Sequence, residues 1–399
     1  MNPYERKGGV TSMDITSIRQ QIPVCQNLTY LNTGWSGPSP IPVTEAIKTR
    51  LDYEMQLGPT TPEVHQSGLD IREETRAAVA SFLNADPSEI CITKNTTDGL
   101  NHVMNGLHWN KGDEIITCNL EHGSVLIPSH FQNLRHGVNI TVLDFNTDES
   151  STSIVEKIGN AITDKTRLVF LSHIEYSTGL RMPVKEIRRV TKDAGVLLLL
   201  DGAQTAGHIK LDMKDIDCEF YSIPGQKWLL GPEATGALYI RKDMIQQVSP
   251  TQVAGKAVVP DHNPYKIDTI SDNMDKFQVT STNVALHGGL LEAIKFVGNI
   301  GIDAIETRNL DLASSLKEGL SKIMGVKVLS PMTRDNSSGL VSFTLEGWIP
   351  SEAVTKIWEN HRIVCRQVAF PECIRASMHF FNTEDEVNQM IGAVSSLTR

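Results

Sequence analysis

No stretch of this 399-residue chain is apolar over anything near the ~20 residues that a membrane-crossing helix requires. No block of basic residues occurs, and the net charge is −10. An acidic chain without a basic block has no electrostatic footprint for nucleic acid or an anionic bilayer. Cysteine is sparse and dispersed, at Cys25, Cys91, Cys118, Cys218, Cys365 and Cys373, with no Cys-x-x-Cys pair. That spacing argues against a disulfide frame or a zinc site, so no metal is expected and the thiols read as reduced. The opening residues, Met1 to Gly9, lead into no apolar core of a secretory signal. Internal repeats and low-complexity segments are lacking too. Together these absences predict a soluble cytoplasmic protein that works on something small.

What is present is a regular alternation of helix and strand from about residue 40. Val43, Ala46, Ile47, Leu51 and Met55 recur at helical spacing, as do Val79, Phe82 and Leu83. Short apolar strands are expected at Ile90–Thr93, Glu114–Thr117, Ile140–Leu143, Leu168–Leu171, Val196–Leu200, Phe220–Ile223 and Ala237–Ile240. Helical segments at 98–107, 123–134, 153–162 and 184–194 separate the first five. The pattern implies an α/β fold whose sheet is mostly parallel and covered on both faces. No helix fits between the last two strands, so an edge hairpin or one antiparallel strand is expected there. Residues 241–283, with Pro250, Gly255, Pro260, Asp261 and Pro264, read as irregular. A bridging helix over 285–297 then leads to a smaller α+β region, with helices at 303–323, 351–360 and 383–397 and strands at 326–329, 339–345 and 374–378.

The most informative stretch is Val196-Leu197-Leu198-Leu199-Leu200-Asp201-Gly202-Ala203-Gln204, followed by Gly225-Gln226-Lys227-Trp228. Five apolar residues ending in a carboxylate read as a buried strand delivering Asp201 to its carboxyl end, where open α/β sheets bind ligands. A lysine between loop residues can return to the same place. An acid and an amine converging on one pocket suit pyridoxal 5′-phosphate (PLP). The lysine would hold the aldehyde as a Schiff base, and the acid would keep the pyridine nitrogen protonated.

Asp201-Gly202-Ala203-Gln204-Thr205-Ala206-Gly207-His208 and Gly225-Gln226-Lys227-Trp228-Leu229-Leu230-Gly231-Pro232 together resemble the class V aminotransferase and cysteine desulfurase family of fold-type I PLP enzymes. The resemblance runs from Tyr30-Leu31-Asn32-Thr33-Gly34 to Cys373-Ile374-Arg375-Ala376-Ser377. It implies a large PLP-binding domain with a seven-stranded, mostly parallel sheet over residues 28–284 and a smaller α+β domain over 285–399. Residues 1–27 would pack beside the small domain, and the active site would be shared across a homodimer.

From spacing alone, the turn Thr93-Lys94-Asn95-Thr96-Thr97-Asp98 is most simply a helix cap in which Thr97 or Asp98 starts the helix. The resemblance puts the cofactor phosphate there, on free N–H groups and the Thr96 and Thr97 hydroxyls. It implies further that His122 stacks on the pyridine ring and that Gln204 donates to the ring oxygen. Lys227 would be the anchor and base, and Asn32 and Arg375 would face the substrate, with Arg375 gripping its α-carboxylate. Thr280 would reach the phosphate of the partner's cofactor, although it serves equally well as a cap for the bridging helix. Departures are visible. Pro224, Gly225 and Gln226 stand where the family usually has Ser or Thr, Gly and His, and Pro224 can donate nothing. The Asn common near Tyr176–Ser177 is absent.

A desulfurase needs a mobile cysteine a few residues after the arginine matching Arg366. Here the stretch is Gln367-Val368-Ala369-Phe370-Pro371-Glu372, without a thiol. Cys365 and Cys373 flank it inside apolar runs and read as packing residues. The segment resembles instead the cysteine/cystine C–S lyase branch, which implies α,β-elimination on a sulfur amino acid. An aminotransferase or epimerase would use the same residues, and a catalytically silent relative is the alternative from another class.

Overall fold

The computed structural model describes residues 13–260 and 263–398. Residues 1–12 of the expected 1–27 segment, including the stretch read for a signal, and Asp261 lie outside the described residues. Helices α1 (Ile41–Leu57) and α2 (Pro62–Leu83) precede an alternating series. It runs β1 (Ile90–Thr93), α3 (Thr96–Gly106), β2 (Glu114–Cys118), α4 (Gly123–His136), β3 (Asn139–Leu143), α5 (Ser151–Ala161), β4 (Thr166–Ser172), α6 (Val184–Asp193), β5 (Leu197–Asp201), β6 (Phe220–Pro224) and β7 (Gly236–Ile240). The seven strands make one sheet in the order β1-β7-β6-β5-β4-β2-β3. Only β7 runs against its neighbours. The reversed strand is therefore internal, between β6 and β1, and not the edge hairpin that local spacing also allowed. A short β6–β7 connection can only reverse the chain, and β1 then closes the outer side of β7.

Successive strand residues point to opposite faces, and both faces are dry. Val169, Leu171, Leu198 and Leu200 pack into one core with α6 through Val184 and Ile187. Leu168, Phe170, Leu199 and Phe220 enter another with Leu100, Val103 and Met104 of α3. This two-sided burial is why the strands read as unbroken apolar runs. It leaves only their carboxyl ends, and the loops they feed, for chemistry.

Residues 241–283 are mostly irregular, with short 3-10 turns and one antiparallel pair at Val258–Val259 and Thr269–Ile270. Helix α7 (Val284–Ile300) packs on α1 and α2 and leads into α8 (Ile302–Leu320). The chain then adds β8 (Val326–Val328), β9 (Leu340–Leu345), α9 (Pro350–His361), β10 (Arg366–Ala369), β11 (Glu372–Ser377) and α10 (Glu384–Leu397). Its antiparallel sheet has the order β8-β9-β11-β10. Val341, Phe343, Ile374 and Ala376 bury one face of that sheet against Leu312, Leu316, Met390 and Val394. Strand β10 is not visible in the sequence because its exposed and buried residues are too few to show a period. Ahead of the large sheet, Thr29 and Tyr30 pair in parallel with Ile363 and Val364. Ile22 and Cys25 pack with Phe380 and Phe381.

One polar node fastens the large sheet from behind. Glu219, 2% exposed, accepts from the Leu198 backbone N–H at 2.9 Å and pairs with Arg188 at 2.6 Å and Arg241 at 2.8 Å. Removing one member of such a buried network strands the others. Glu219→Ala should destabilise the protein by about 3–5 kcal/mol, read as a lowered denaturant midpoint. A loss under about 1 kcal/mol would mean that the node behaves like an exposed surface pair.

Candidate active site

A cavity of about 370 Å3 opens at the carboxyl ends of β1, β2, β4, β5 and β6. Each strand contributes the residue or turn that follows its last apolar position. Strand β5 ends on Asp201, which is 2% exposed. One of its oxygens accepts from the Ala203 N–H at 2.7 Å, which leaves the carboxylate further acceptor capacity at the cavity wall. Burial pushes its pKa up, and the nearby Lys227 amine pulls it down. Lys227 leaves β6 through Gly225 and Gln226 and faces the same cavity. Burial lowers its pKa to about 8, opposed by Asp201 and assisted by Arg375 and Arg366. A neutral amine is therefore accessible near physiological pH, as a base requires.

The turn after β1 begins helix α3 at Thr96, and its cap is Asn95, whose Oδ1 accepts from the Asp98 N–H at 2.9 Å. Neither Thr97 nor Asp98 is the cap, because the asparagine ahead of them already supplies the acceptor. Thr96 and Thr97 thus occupy the first two helical positions, where N–H groups lack intrahelical partners. The Thr96 hydroxyl is buried with no hydrogen-bond partner. Thr97 Oγ1 lies 2.8 Å from Ser124 Oγ, which also lines the cavity. This cluster of donors at a helix start fits a phosphate.

His122 follows β2 and also lines the cavity. Its Nδ1 accepts from the Ser124 N–H at 3.1 Å and so caps α4, which leaves the ring proton on Nε2. Burial first, then Lys227 and the two arginines, lower its pKa to about 4. Its ring stands edge-on to Tyr176, 4.9 Å between centroids. Capping and wall-building are combined in one side chain. Glu121 beside it turns away, accepting from both the backbone N–H and the hydroxyl of Ser172 at 2.6 Å. Burial raises its pKa to about 8.

Gln204 lies on the turn that follows Asp201 and lines the cavity. It is 2% exposed, donates to the Gly34 carbonyl at 2.9 Å and accepts from the Trp228 indole at 2.9 Å. One amide hydrogen remains free at the cavity. Gln226 lines the wall with its Oε1 buried and unpartnered. Pro224 is the last residue of β6, paired with Gly236, and contributes no donor. Tyr176 is part of the wall where the family's usual asparagine is lacking.

Arg375, on β11, is fully buried. Its Nη1 donates to the Tyr176 carbonyl at 2.6 Å, while Nε and Nη2 have no partner. Directly across the hairpin sits Arg366, whose guanidinium lies 4.4 Å over the Trp35 ring. Two like charges in cross-strand register repel, and burial with that repulsion lowers the Arg375 pKa to about 9. An anion between them would relieve both costs. Arg366, Trp35 and Ser124 were not singled out as site residues from the sequence; only tertiary pairing brings them here.

Asn32 lies behind the wall. It bridges to Ser377 and keeps its Oδ1 unpartnered, while the neighbouring Gly34 and Trp35 form the surface. Thr280 is exposed and is not among the residues of this cavity. It is not the cap of α7 either: Asn283 Oδ1 takes that role, accepting from the Leu286 N–H at 3.2 Å.

The buried, unpartnered Thr96 hydroxyl at a helix start, a lysine of lowered pKa, a buried carboxylate and an arginine with unsatisfied donors around one cavity fit a phosphate-bearing aldehyde cofactor and an amino-acid carboxylate. This is the constellation of a fold-type I PLP enzyme. The chain belongs to the class-V aminotransferase family, whose model matches residues 30–390. A probable cysteine desulfurase of Methanothermobacter thermautotrophicus is 31% identical over 95% of this chain and 97% of its own. Among solved structures, the cystine C–S lyase C-DES with its reaction product cysteine persulfide is 29% identical, with a TM-score of 0.88 over 94% of this chain and 99% of that one. A C-DES variant carrying glycine covalently linked to its PLP cofactor is 29% identical, with a TM-score of 0.89 over 94% of this chain and 98% of that one. The protein is thus a PLP-dependent enzyme of the cysteine desulfurase and C–S lyase group.

Gly34 sits at the meeting point of these groups. A Cβ there would lie 2.8 Å from Ser377 Oγ, 3.0 Å from Gln204 Oε1 and 3.2 Å from Arg375 Nη2. Gly34→Ala should displace the guanidinium and cost about 10²-fold in kcat/KM, with PLP content retained. Unchanged kinetics would show that Arg375 has slack the close packing denies it.

Proposed function

We propose that this enzyme is a C–S lyase acting by α,β-elimination on cysteine, cystine or a cysteine S-conjugate. The observation that carries this reading is the state of the thiols. All six cysteines are buried. After Arg366 the chain forms β10 and a tight turn in which Ala369 and Glu372 face each other across Phe370 and Pro371. Phe370, 57% exposed, stands where a desulfurase would carry its nucleophile. Burial pushes the Cys365 thiol to about 12 and that of Cys373 to about 11, so neither supplies thiolate at neutral pH. The names of the sequence relatives favour the desulfurase alternative, and the products distinguish the two.

When bound, PLP supplies an electron sink for the charge left as the substrate loses its α-proton. Thr96, Thr97, Ser124 and Gln226, all at the cavity wall, would hold its phosphate. Asp201 keeps a proton on the pyridine nitrogen; a buried carboxylate there stabilises that cation strongly. Gln204 donates to the ring oxygen. Arg375 orients the substrate carboxylate, and Arg366 is positioned for a second acidic group, as in cystine. Lys227 would anchor the cofactor, and its amine, neutral near pH 8 and above, is the group at this cavity that would take the α-proton. The carbon–sulfur bond then breaks, the sulfur leaves with the bonding pair, and the aminoacrylate hydrolyses to pyruvate and ammonia. We propose also that a second copy of the chain brings its Thr280 to this phosphate.

Incubation with cystine should yield pyruvate and ammonia, with no stoichiometric protein persulfide. The Cys365→Ala/Cys373→Ala protein should keep kcat within about threefold, apart from packing losses. Alanine as the main product, with activity lost in one cysteine variant, would overturn the lyase reading. Lys227→Ala should lose both turnover and the visible absorbance of the bound cofactor. Asp201→Asn should keep PLP but lose most activity.

The pH profile is a separate check. Lys227 acts as a base only when neutral, and its pKa of about 8 lies below its ordinary 10.5. The rate should therefore rise with pH through about 8 and level above it. His122, with a pKa near 4, is already neutral there, so His122→Phe should lower the plateau without moving that limb. A limb that shifts in the histidine variant would reassign the base.

A further inference from the structure

The Gln204 amide is held in one orientation by a side chain that never touches the cavity. Trp228, fully buried, directs its indole N–H at Gln204 Oε1, 2.9 Å away. The same amide donates through Nε2 to the Gly34 carbonyl at 2.9 Å. A flip would bring two carbonyl oxygens together and set an N–H against an NH2, losing both bonds. An indole can only donate, so it selects the rotamer with the amide NH2 on the cavity side.

The indole itself is fixed by two histidines whose protons are assigned by their partners. His208 stacks on it at 3.7 Å between ring centroids, 12° from parallel. The Gly339 N–H donates to His208 Nε2 at 2.8 Å, so Nδ1 carries the proton and donates to the Gln204 carbonyl at 2.8 Å. His379 stands edge-on to the indole at 5.1 Å, and its Nε2 donates to the Trp228 carbonyl at 2.9 Å. Burial holds both rings neutral, His208 with a pKa near 3 and His379 well below its usual range. Gly339 lies one residue before β9, and His379 two residues beyond β11, the strand of Arg375. The second sheet thus reaches the cofactor wall through this stack.

We infer that Trp228 is a positioning residue: clamped between His208 and His379, its indole N–H fixes the Gln204 amide with the NH2 turned toward the cofactor's ring oxygen. This rests on the reading of Gln204 as the donor to that oxygen, not on which reaction follows.

The test uses holoenzyme and its visible absorbance, read against pH, without turnover. A donor to the ring oxygen stabilises its anionic form and lowers the pH midpoint of the absorbance change. Gln204→Leu should raise that midpoint by about one pH unit, a tenfold change in proton affinity. Trp228→Phe keeps the apolar body, removes only the N–H and should raise it by about half a unit with PLP content unchanged. In the double variant the midpoint should match Gln204→Leu alone, because the indole acts only through the amide. A Trp228→Phe midpoint equal to wild type, or fully additive shifts, would overturn the proposal while leaving Gln204 its role. No shift in Gln204→Leu would overturn both. Should Trp228→Phe not fold, indole N–H resonances decide. One of the five tryptophans should shift and exchange faster in Gln204→Leu, and an unchanged set would overturn the clamp.

Discussion

The structure depends on keeping charge in a dry place. Asp201 and Arg375 are nearly or wholly withdrawn from solvent, and Lys227 faces only the cavity between them. Each charge loses hydration, and such a cost is borne only with partners or with a rigid apolar surround. Strands β4 and β5 supply that surround, with Leu168 to Leu171 and Leu198 to Leu200 fully buried on both sheet faces. The sheet is thus the low-dielectric wall that lowers the lysine pKa and raises the carboxylate's. The same penalty on the Arg375 guanidinium would be relieved by an anion beside it, which replaces the partners that burial removed.

The same constraint decides which parts are legible in the residues alone. An unbroken apolar run ending in Asp201 is a local signal, and so are the lysine between loop residues and the threonines at a helix start. Each of these depends only on its immediate neighbours in the chain. The helix caps are different, because Asn95 and Asn283 compete with neighbours of the same chemistry, and only backbone geometry selects among them. Strand β7 is legible as a strand, but its position inside the sheet is a question of long-range pairing. Arg366 is legible only as a landmark in a motif. Its place opposite Arg375 is a matter of hairpin register, which shifts by whole side chains with a single residue. Trp228 reads as apolar cover for the lysine, yet its polar edge matters as much as its body.

In the proposed lyase reading, the hairpin of β10 and β11 serves substrate grip alone. A thiol that visits substrate sulfur and then hands it on needs a segment free to move. Residues 366–369 are instead paired to 372–375 along their whole length, and two residues make the turn. Register pairing of that kind holds the arginines in place. Under the proposed lyase reading, that short stretch serves substrate grip and carries no nucleophile.

The stack of His208, Trp228 and His379 gives that hairpin a second connection to the cofactor wall. Arg375 contacts the cavity directly, through the strand itself. Met378, one residue past that strand, donates to the Gly339 carbonyl at 3.0 Å, and the Gly339 N–H holds His208. A displacement of β11 on binding a carboxylate would therefore be felt at Gln204 as well as at the guanidinium. Packed interiors respond to such shifts as units and not by gradual deformation. Under the roles proposed for Arg375 and Gln204, carboxylate grip and ring electronics would share one mechanical support, and that support lies in the smaller sheet.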